Sequence, residues 1–228
     1  MAEPRYVAFL RHGDYHQRKG VPSARQPWAL TEEGIAQAQA GAALLQEMIS
    51  KFDLVLSPKI HSSRQLRAWQ TASILAEGLK ASGFRIEEIA ETSALGERSL
   101  GSAANLTVAE VETALRNDPR YDAPPKGWKS ESNYCLPLEG AESLIQSGAR
   151  VAAYITQTAE PGQLTVFVGH GASYRHACYH LGILNREEIA SYSMFHARPS
   201  LICHQNDGTW RHLAGAWKVR PPKDEPKD

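Results

Sequence analysis

Hydrophobic positions fall along the chain in a strand-then-helix rhythm. Tyr6-Val7-Ala8-Phe9-Leu10 is a short continuous apolar run, the pattern of a buried strand, and it stops abruptly at Arg11-His12-Gly13-Asp14-Tyr15-His16. Polar groups at the end of a buried strand are where α/β proteins place ligands. After a loop containing Pro22 and Pro27, Thr31 is a good N-cap with Glu32 and Glu33 in the first turn, and Ile35, Ala38, Ala42, Leu45 and Ile49 mark one face of an amphipathic helix. Asp53-Leu54-Val55-Leu56 predicts a second strand, ended by Ser57-Pro58, and Leu66, Ala72, Leu75 and Leu79 have the spacing of a helix over about 63–79. The rhythm then lapses over about 93–138, where Pro119, Pro124, Pro125, Pro137 and Gly127 collect and only 107–115 keeps helical spacing; this segment reads as a lid-like insertion over the first core. It resumes with a helix from Glu139 to about Thr158, a turn at Pro161-Gly162, a strand over Leu164 to Val168 ending in Gly169-His170-Gly171, and a helix through about Leu181.

A chain of 228 residues, 42% hydrophobic, fits one globular domain, here 1–218, followed by a charged, proline-rich stretch at 219–228 that is expected to be a disordered tail. A fold of this length removes roughly 70% of the unfolded chain's surface from water, so it needs no disulfide framework. Cys135, Cys178 and Cys203 are odd in number, widely spaced and without a CxxC pair, as free thiols are. The 25 Lys+Arg balance the 25 Asp+Glu, which argues against non-specific nucleic-acid binding but leaves room for a local cationic pocket. No signal-peptide core opens the chain and no stretch reaches the apolar length that spans a bilayer, so the expectation is a cytoplasmic protein with no membrane or nucleic-acid partner.

The chemistry concentrates at His12 and His170, each followed by glycine just past an apolar strand, the first also preceded by Arg11. Glycine lets backbone approach closely, helix N-termini offer unpaired N–H groups, and the guanidinium is a planar fork matched to phosphate oxygens. A phosphoryl group fits such a pocket best.

Four segments then carry a family resemblance: Phe9-Leu10-Arg11-His12-Gly13; Leu56-Ser57-Pro58 with Arg67-Ala68-Trp69-Gln70-Thr71-Ala72; Leu95-Gly96-Glu97-Arg98-Ser99-Leu100-Gly101; and Val168-Gly169-His170-Gly171, extended by Ala172-Ser173-Tyr174-Arg175. In order and spacing, over about residues 6 to 185, they resemble the histidine phosphatase superfamily, also called the phosphoglycerate mutase-like family. The resemblance implies an α/β fold, a mostly parallel central sheet with helices on both faces. It implies a nucleophilic His12, catalytic partners Arg11, Arg67 and His170, and Glu97 as the acid/base. The phosphate would rest against Arg11, Gly13, Arg67, Arg98, His170 and Gly171, with no metal and no cofactor. Those roles are also sound chemistry. The cations offset the charge of a phosphate dianion and disfavour a protonated His12, whose pKa is expected below about 6.5, and a carboxyl group protonates an alkoxide leaving group and later activates water.

Alternatives remain within the pattern. Arg64 stands three residues from Arg67 and could be the phosphate ligand instead, and Glu110, Glu91 and Asp14 are other carboxylates that could fold over the pocket. His176 and His180 have a spacing that can bind zinc but lack a HExxH glutamate or a nearby third ligand, so packed or solvent-facing histidines are the better reading. Trp128, Tyr121 and Tyr134 could line a substrate entrance or pack the insertion.

Arg120-Tyr121-Asp122-Ala123-Pro124-Pro125 and Glu142-Ser143-Leu144 are similar to the mutase branch, yet Asp118-Pro119 and Val108 stand where that branch places two arginines and a lysine for its substrate. RHGDYH looks closer to the RHxxYH run of protein-phosphatase-like members. The expected function is therefore a metal-independent phosphomonoester hydrolase working through a phosphohistidine on His12, acting on a phosphorylated small molecule or a phosphoprotein. Mutase-type phosphotransfer is the alternative. A non-catalytic phospho-ligand-binding or scaffold protein is a third reading, disfavoured because a binding module has no need of all five residues.

Overall fold

The computed structural model describes residues 3–21 and 25–220. Its strands are β1 (Arg5–Arg11), β2 (Leu56–Ser63), β3 (Glu88–Thr92), β4 (Leu164–Gly169), β5 (Tyr192–Met194), β6 (Pro199–His204), β7 (Trp210–Ala214) and β8 (Trp217–Val219). Its helices are α1 (Glu32–Lys51), α2 (Leu66–Ala81), α3 (Val108–Asn117), α4 (Leu144–Thr158), α5 (Gly171–His180) and α6 (Arg186–Ser191). Six strands form one sheet of order β3-β2-β4-β1-β6-β7, and β5 pairs with β8 in a separate ribbon. β1 to β4 run parallel, and β6 and β7 add an antiparallel edge.

The continuous apolar runs of β1 and β4 follow from burial on both sides. Ala8, Leu10, Leu164, Val166 and Val168 pack against α1 and α2, whereas Val7, Phe9 and Phe167 pack against α4 and α5. α1 starts where Thr31 Oγ1 accepts the Gly34 N–H at 3.0 Å, and it buries Ala38, Ala42, Leu45 and Ile49 as its periodicity predicts; Ile35, read as part of that face, stays 41% exposed. α4 starts at a capping box between Ser143 and Gln146, five residues after the predicted Glu139.

The second strand departs most from expectation. It does not end at Ser57-Pro58 but runs through them to Ser63, and the predicted helix start at 63 moves to Leu66. The register against β4 shifts between Leu56 and Ile60, and this irregularity accommodates Pro58, which has no N–H for the ladder, in a strand with neighbours on both sides. The segment over 93–138 has its own small core of Leu100, Ala103, Val111, Leu115, Trp128 and Leu136, so Trp128 packs the insertion rather than an entrance. Backbone pairing also continues past the expected domain boundary at 218: Val219 pairs with Tyr192, and the Arg220 N–H bonds the Ser191 carbonyl at 2.8 Å. The remainder of the expected tail, 221–228, and Pro22 lie outside the described residues. The three cysteines are free thiols, and no helix among the described residues is long and apolar enough to cross a membrane.

One topological feature places the site. β1 leads through its loop to α1 on one face of the sheet, while its neighbour β4 leads directly to α5 on the other. Chains leaving adjacent parallel strands in opposite directions open a crevice at the strands' carboxyl ends. His12 and His170 are the first residues into it.

Candidate functional site

His12 is 4% exposed, and its backbone N–H still bonds the Gly169 carbonyl of β4 at 2.9 Å, so the strand pairing fixes where the side chain starts. Its ring Nδ1 lies 2.7 Å from the Gly13 carbonyl oxygen. A carbonyl only accepts, so Nδ1 carries the proton, and in the neutral ring Nε2 keeps its lone pair. Burial, then Arg67 and Arg11, hold the His12 pKa well below its ordinary 6.5. The neutral form is therefore the one present near pH 7.

His170 faces it, with ring centroids 5.1 Å apart. Arg67 Nη2 reaches His170 Nδ1 at 3.3 Å, and because a guanidinium only donates, the His170 proton sits on Nε2, 2.9 Å from Ser63 Oγ. Burial and Arg67 lower the His170 pKa well below 6.5 as well. Arg67 is fully buried at the start of α2; it also donates to the Gln26 carbonyl at 3.1 Å and lies over the Tyr15 ring, 4.5 Å from its centroid. Arg11 donates to the Met194 carbonyl at 3.1 Å, which makes the β5–β8 ribbon its support. Burial lowers both arginines from their ordinary value, but a guanidinium remains cationic at any working pH. Arg64, by contrast, is exposed, so of the two candidates it is Arg67 that stands beside the histidines.

Glu97 arrives from the segment after β3. Its carboxylate accepts the N–H groups of Ala172 at 3.2 Å and Ser173 at 2.9 Å, the first turn of α5, and that of Arg98 at 3.0 Å. It thereby supplies the cap that His170, at the N-cap position, does not make with its own side chain. The rival carboxylates are placed otherwise. Glu110 closes the capping box of α3, Glu91 is exposed on β3, and Asp14 accepts from Thr31 Oγ1 at 2.9 Å.

Three residues expected to touch phosphate have other partners. The Gly13 N–H donates to Thr71 Oγ1 at 3.0 Å, and a Cβ there would overlap the Gly34 carbonyl oxygen, so this glycine permits the close approach of the β1 loop to α1. A Cβ on Gly171 would come within 3.0 Å of Arg11 Cδ, so this glycine leaves room for the Arg11 side chain. Arg98 is 7% exposed, with its guanidinium 5.8 Å from the Trp128 ring in the insertion's core, whereas the cations acting on His12 are Arg67 and Arg11. The pair His176 and His180 has other partners: buried His176 Nδ1 donates to the Ala172 carbonyl at 2.7 Å with Nε2 at 3.1 Å from Ser132 Oγ, and exposed His180 Nε2 donates to the Ile145 carbonyl at 2.9 Å. Among the described residues no group of three His, Cys, Asp or Glu is placed to hold a metal ion.

The sequence reading missed Ser63 and His196. Ser63 ends a parallel strand as His12 and His170 nearly do, a signal hidden once the strand was ended at Pro58. His196 forms a parallel bridge with Arg11, puts its ring 5.7 Å from that of His12, and has Nδ1 4.0 Å from Asp14 Oδ1. Burial, then Arg11, push its pKa down to about 4. It lies between two strands that the hydrophobic pattern did not reveal.

A cleft of about 660 Å³ opens beside this cluster, with Ser63 and Glu97 in its wall. Glu142, its other carboxylate, is held by Arg150 in a bidentate pair at 2.8 and 2.7 Å. The cluster brings together an unprotonated imidazole nitrogen, two guanidinium groups, a second neutral imidazole and one carboxylate, a set that suits attack on an anionic phosphoryl centre; of these groups Glu97 is the one in the cleft's lining.

Residues 7–215 match the sequence profile of the histidine phosphatase superfamily (branch 1). A 2,3-bisphosphoglycerate-dependent phosphoglycerate mutase of Allorhizobium ampelinum is 26% identical over 209 residues, 89% of this chain and 92% of that one. The fold is similar to that of a mycobacterial glucosyl-3-phosphoglycerate phosphatase in complex with VO3, at a TM-score of 0.63 and 24% identity, covering 92% of this chain and 97% of the other. It is similar also to a putative alpha-ribazole-5'-P phosphatase from Escherichia coli, at a TM-score of 0.65 and 18% identity over 94% of this chain and 96% of that one. With the match running from the third residue of β1 to just past β7, the chain belongs to branch 1 of the histidine phosphatase superfamily.

Proposed function

We propose that the protein hydrolyses phosphomonoesters by way of a phosphohistidine on His12. The observation that carries this reading is the tethered tautomer: Nδ1–H bound to the Gly13 carbonyl leaves Nε2 as the nucleophile, beside Arg67 and Arg11. In the first step His12 Nε2 forms a bond to phosphorus as the ester P–O bond breaks, and the departing oxygen takes a proton. In the second, water attacks phosphorus, the N–P bond breaks and inorganic phosphate leaves. Arg11, Arg67 and His170 bind the charge on the phosphoryl oxygens. Glu97 hands over and recovers the proton, because the other carboxylate of the cleft is tied to Arg150.

Hydrolysis is favoured over mutase-type transfer by the insertion's lack of cations toward the cleft. The described lining includes no Lys or Arg from the insertion, and Arg120 is exposed and paired with Asp118 at 2.7 Å. A bisphosphorylated intermediate therefore finds no cation on the insertion, the cleft's arginines being Arg25, Arg64 and Arg150 from elsewhere in the chain, and water is the acceptor in this reading. The mutases among its relatives keep the second reading open to the same experiment. Phosphate release from p-nitrophenyl phosphate in excess EDTA, for wild type and His12→Ala, is measured beside 3-phosphoglycerate isomerisation with added 2,3-bisphosphoglycerate. Release that His12→Ala abolishes, with no isomerisation, is the expected result. Isomerisation without release establishes the mutase.

A further inference from the structure

We infer that Trp217 is a positioning residue for Arg11: stacked between the β5–β8 ribbon and α5, it holds in place the ribbon edge whose carbonyl aims the Arg11 guanidinium at the phosphate. The inference rests on the phosphoryl-transfer reading above and adds to that site a residue past 7–215, the span that matches the family profile.

The ribbon depends on side chains for its place. It is a two-stranded sheet separate from the six-stranded one, and such a pair has little stability of its own in water. Its register sets Tyr192 opposite Val219 and Met194 opposite Trp217, so the side chains of Tyr192, Met194 and Trp217 share one face. On that face the Trp217 ring lies 6.1 Å from the Tyr192 ring at 13°, and 6.1 Å from the Tyr174 ring of α5 at 15°. Tyr174 in turn stacks on Phe9 of β1 at 3.9 Å and 8°. Four near-parallel rings therefore run from the ribbon through α5 to the strand that leads into His12. Tyr174 and Phe9 are fully buried, so the inner end of the stack is fixed and Trp217 joins it to the ribbon.

The ribbon's other edge serves the site. The Ser191 carbonyl accepts the Arg220 N–H on the β8 side. Carbonyls alternate in direction along a strand, so those of Tyr192 and Met194 turn to the opposite edge. Both are taken by guanidinium groups: Arg175 Nη1 donates to the Tyr192 carbonyl at 2.6 Å, and Arg11 Nη1 donates to the Met194 carbonyl at 3.1 Å. The bond to Met194 is the only side-chain hydrogen bond that Arg11 makes among the described residues. A guanidinium pinned at Nη1 keeps its other nitrogens for phosphate oxygens, in a direction that the ribbon sets. With the ribbon displaced, Arg11 retains its charge and loses its aim. Arg67, anchored on the Gln26 carbonyl and against the Tyr15 ring, does not depend on the ribbon.

The test is a double-mutant cycle between Trp217 and Arg11. Trp217→Leu keeps apolar bulk and loses the stack, Trp217→Phe keeps a ring, and each is made alone and with Arg11→Ala. Trp210→Ala, which removes an indole that meets His204 from β7, controls for the loss of a tryptophan nearby. Each variant is read by kcat and KM for p-nitrophenyl phosphate, by Tm, and by the Kd of orthovanadate, a phosphate analogue whose binding needs no turnover. Trp217→Leu should lower kcat/KM about tenfold, through both constants, and weaken orthovanadate to a similar degree, as misdirecting one charge-assisted contact does. Trp217→Phe should restore most of both. In the Arg11→Ala background Trp217→Leu should change neither by more than about twofold, and Trp210→Ala should lower Tm while leaving the constants alone. Wild-type constants in Trp217→Leu, a loss of full size in the Arg11→Ala background, or the same loss in Trp210→Ala overturns the inference while His12-dependent hydrolysis stands. Absence of any His12-dependent hydrolysis overturns the functional reading itself, and the inference with it.

Discussion

Glu97→Gln keeps the shape of the side chain and removes its charge, which separates the two things the structure has this residue do. As a cap, the carboxylate takes two N–H groups from the first turn of α5 and one from Arg98, at 2.9 to 3.2 Å. An amide offers one acceptor oxygen in place of two and turns an NH2 donor toward at least one of those N–H groups. Losing the charge at a helix N-terminus costs about 0.5–1 kcal/mol in a partly exposed setting. Leaving a backbone N–H against a donor costs about 1–2 kcal/mol more. The sum, about 2 kcal/mol, corresponds to a fall in Tm of roughly 4–8 °C for a domain of this size. Because α5 starts immediately after His170, loosening its first turn should also raise KM for every phosphate ester. As proton donor, Glu97 matters only where the leaving group is basic, so Glu97→Gln should slow an alkyl phosphate far more than p-nitrophenyl phosphate. Calorimetry and the ratio of alkyl to aryl kcat are read on the same preparation. A variant that melts with the wild type refutes the cap; one that slows both esters equally refutes the proton transfer.

Other substitutions and conditions probe the remaining parts. Gly13→Ala drives a Cβ into the Gly34 carbonyl and should cost about 1–3 kcal/mol in urea denaturation as an overpacked contact, while displacing the Nδ1 tether and cutting kcat. A stable, active Gly13→Ala would contradict that packing. Arg67→Ala strips a donor from His170 Nδ1 and the Gln26 carbonyl together, so KM should rise and kcat fall; unchanged constants would hand the phosphate to Arg64. His12 and His170 titrate well below 6.5 in the fold and His176 and His196 near 4, whereas the unfolded chain protonates each near 6.5. The unfolded state thus binds more protons below that pH, and stability, complete above about 6.5, should fall by on the order of 1 kcal/mol per unit per histidine as pH drops toward 5. Urea midpoints that stay level from pH 7.5 to 5 would show these rings to be protonated in the fold. For the same reason kcat/KM for p-nitrophenyl phosphate should lack an acid limb near pH 6.5 attributable to His12; a limb centred there would mean an ordinary imidazole.

What could be read from the sequence was whatever burial writes locally. β1 and β4 were legible because strands covered on both faces must be apolar throughout, and α1 because Thr31 and two glutamates mark its start. His12 and His170 were legible because each follows such a strand directly. β2 was cut short at Pro58 because a proline normally ends a central strand, and only the register shift against β4 shows how this one is tolerated. Val219 was assigned to a tail because its partner, Tyr192, lies in a short strand with no apolar run of its own. The cap of α5 by Glu97 joins residues 75 and 76 positions apart, and no local pattern encodes it. His196 escaped for the same reason: its tie to the site is a backbone bridge to Arg11, which exists only once β1 and the C-terminal strands are assembled.

The central claim is a covalent intermediate on His12, and trapping it is the direct measurement. The enzyme is mixed with a phosphomonoester carrying labelled phosphorus, quenched in alkali within milliseconds, digested, and the labelled peptide sequenced. Label that survives alkali, is lost in acid, maps to His12 and is absent from His12→Ala is the predicted result. Turnover with no such label on His12, or label on another residue, would contradict the account.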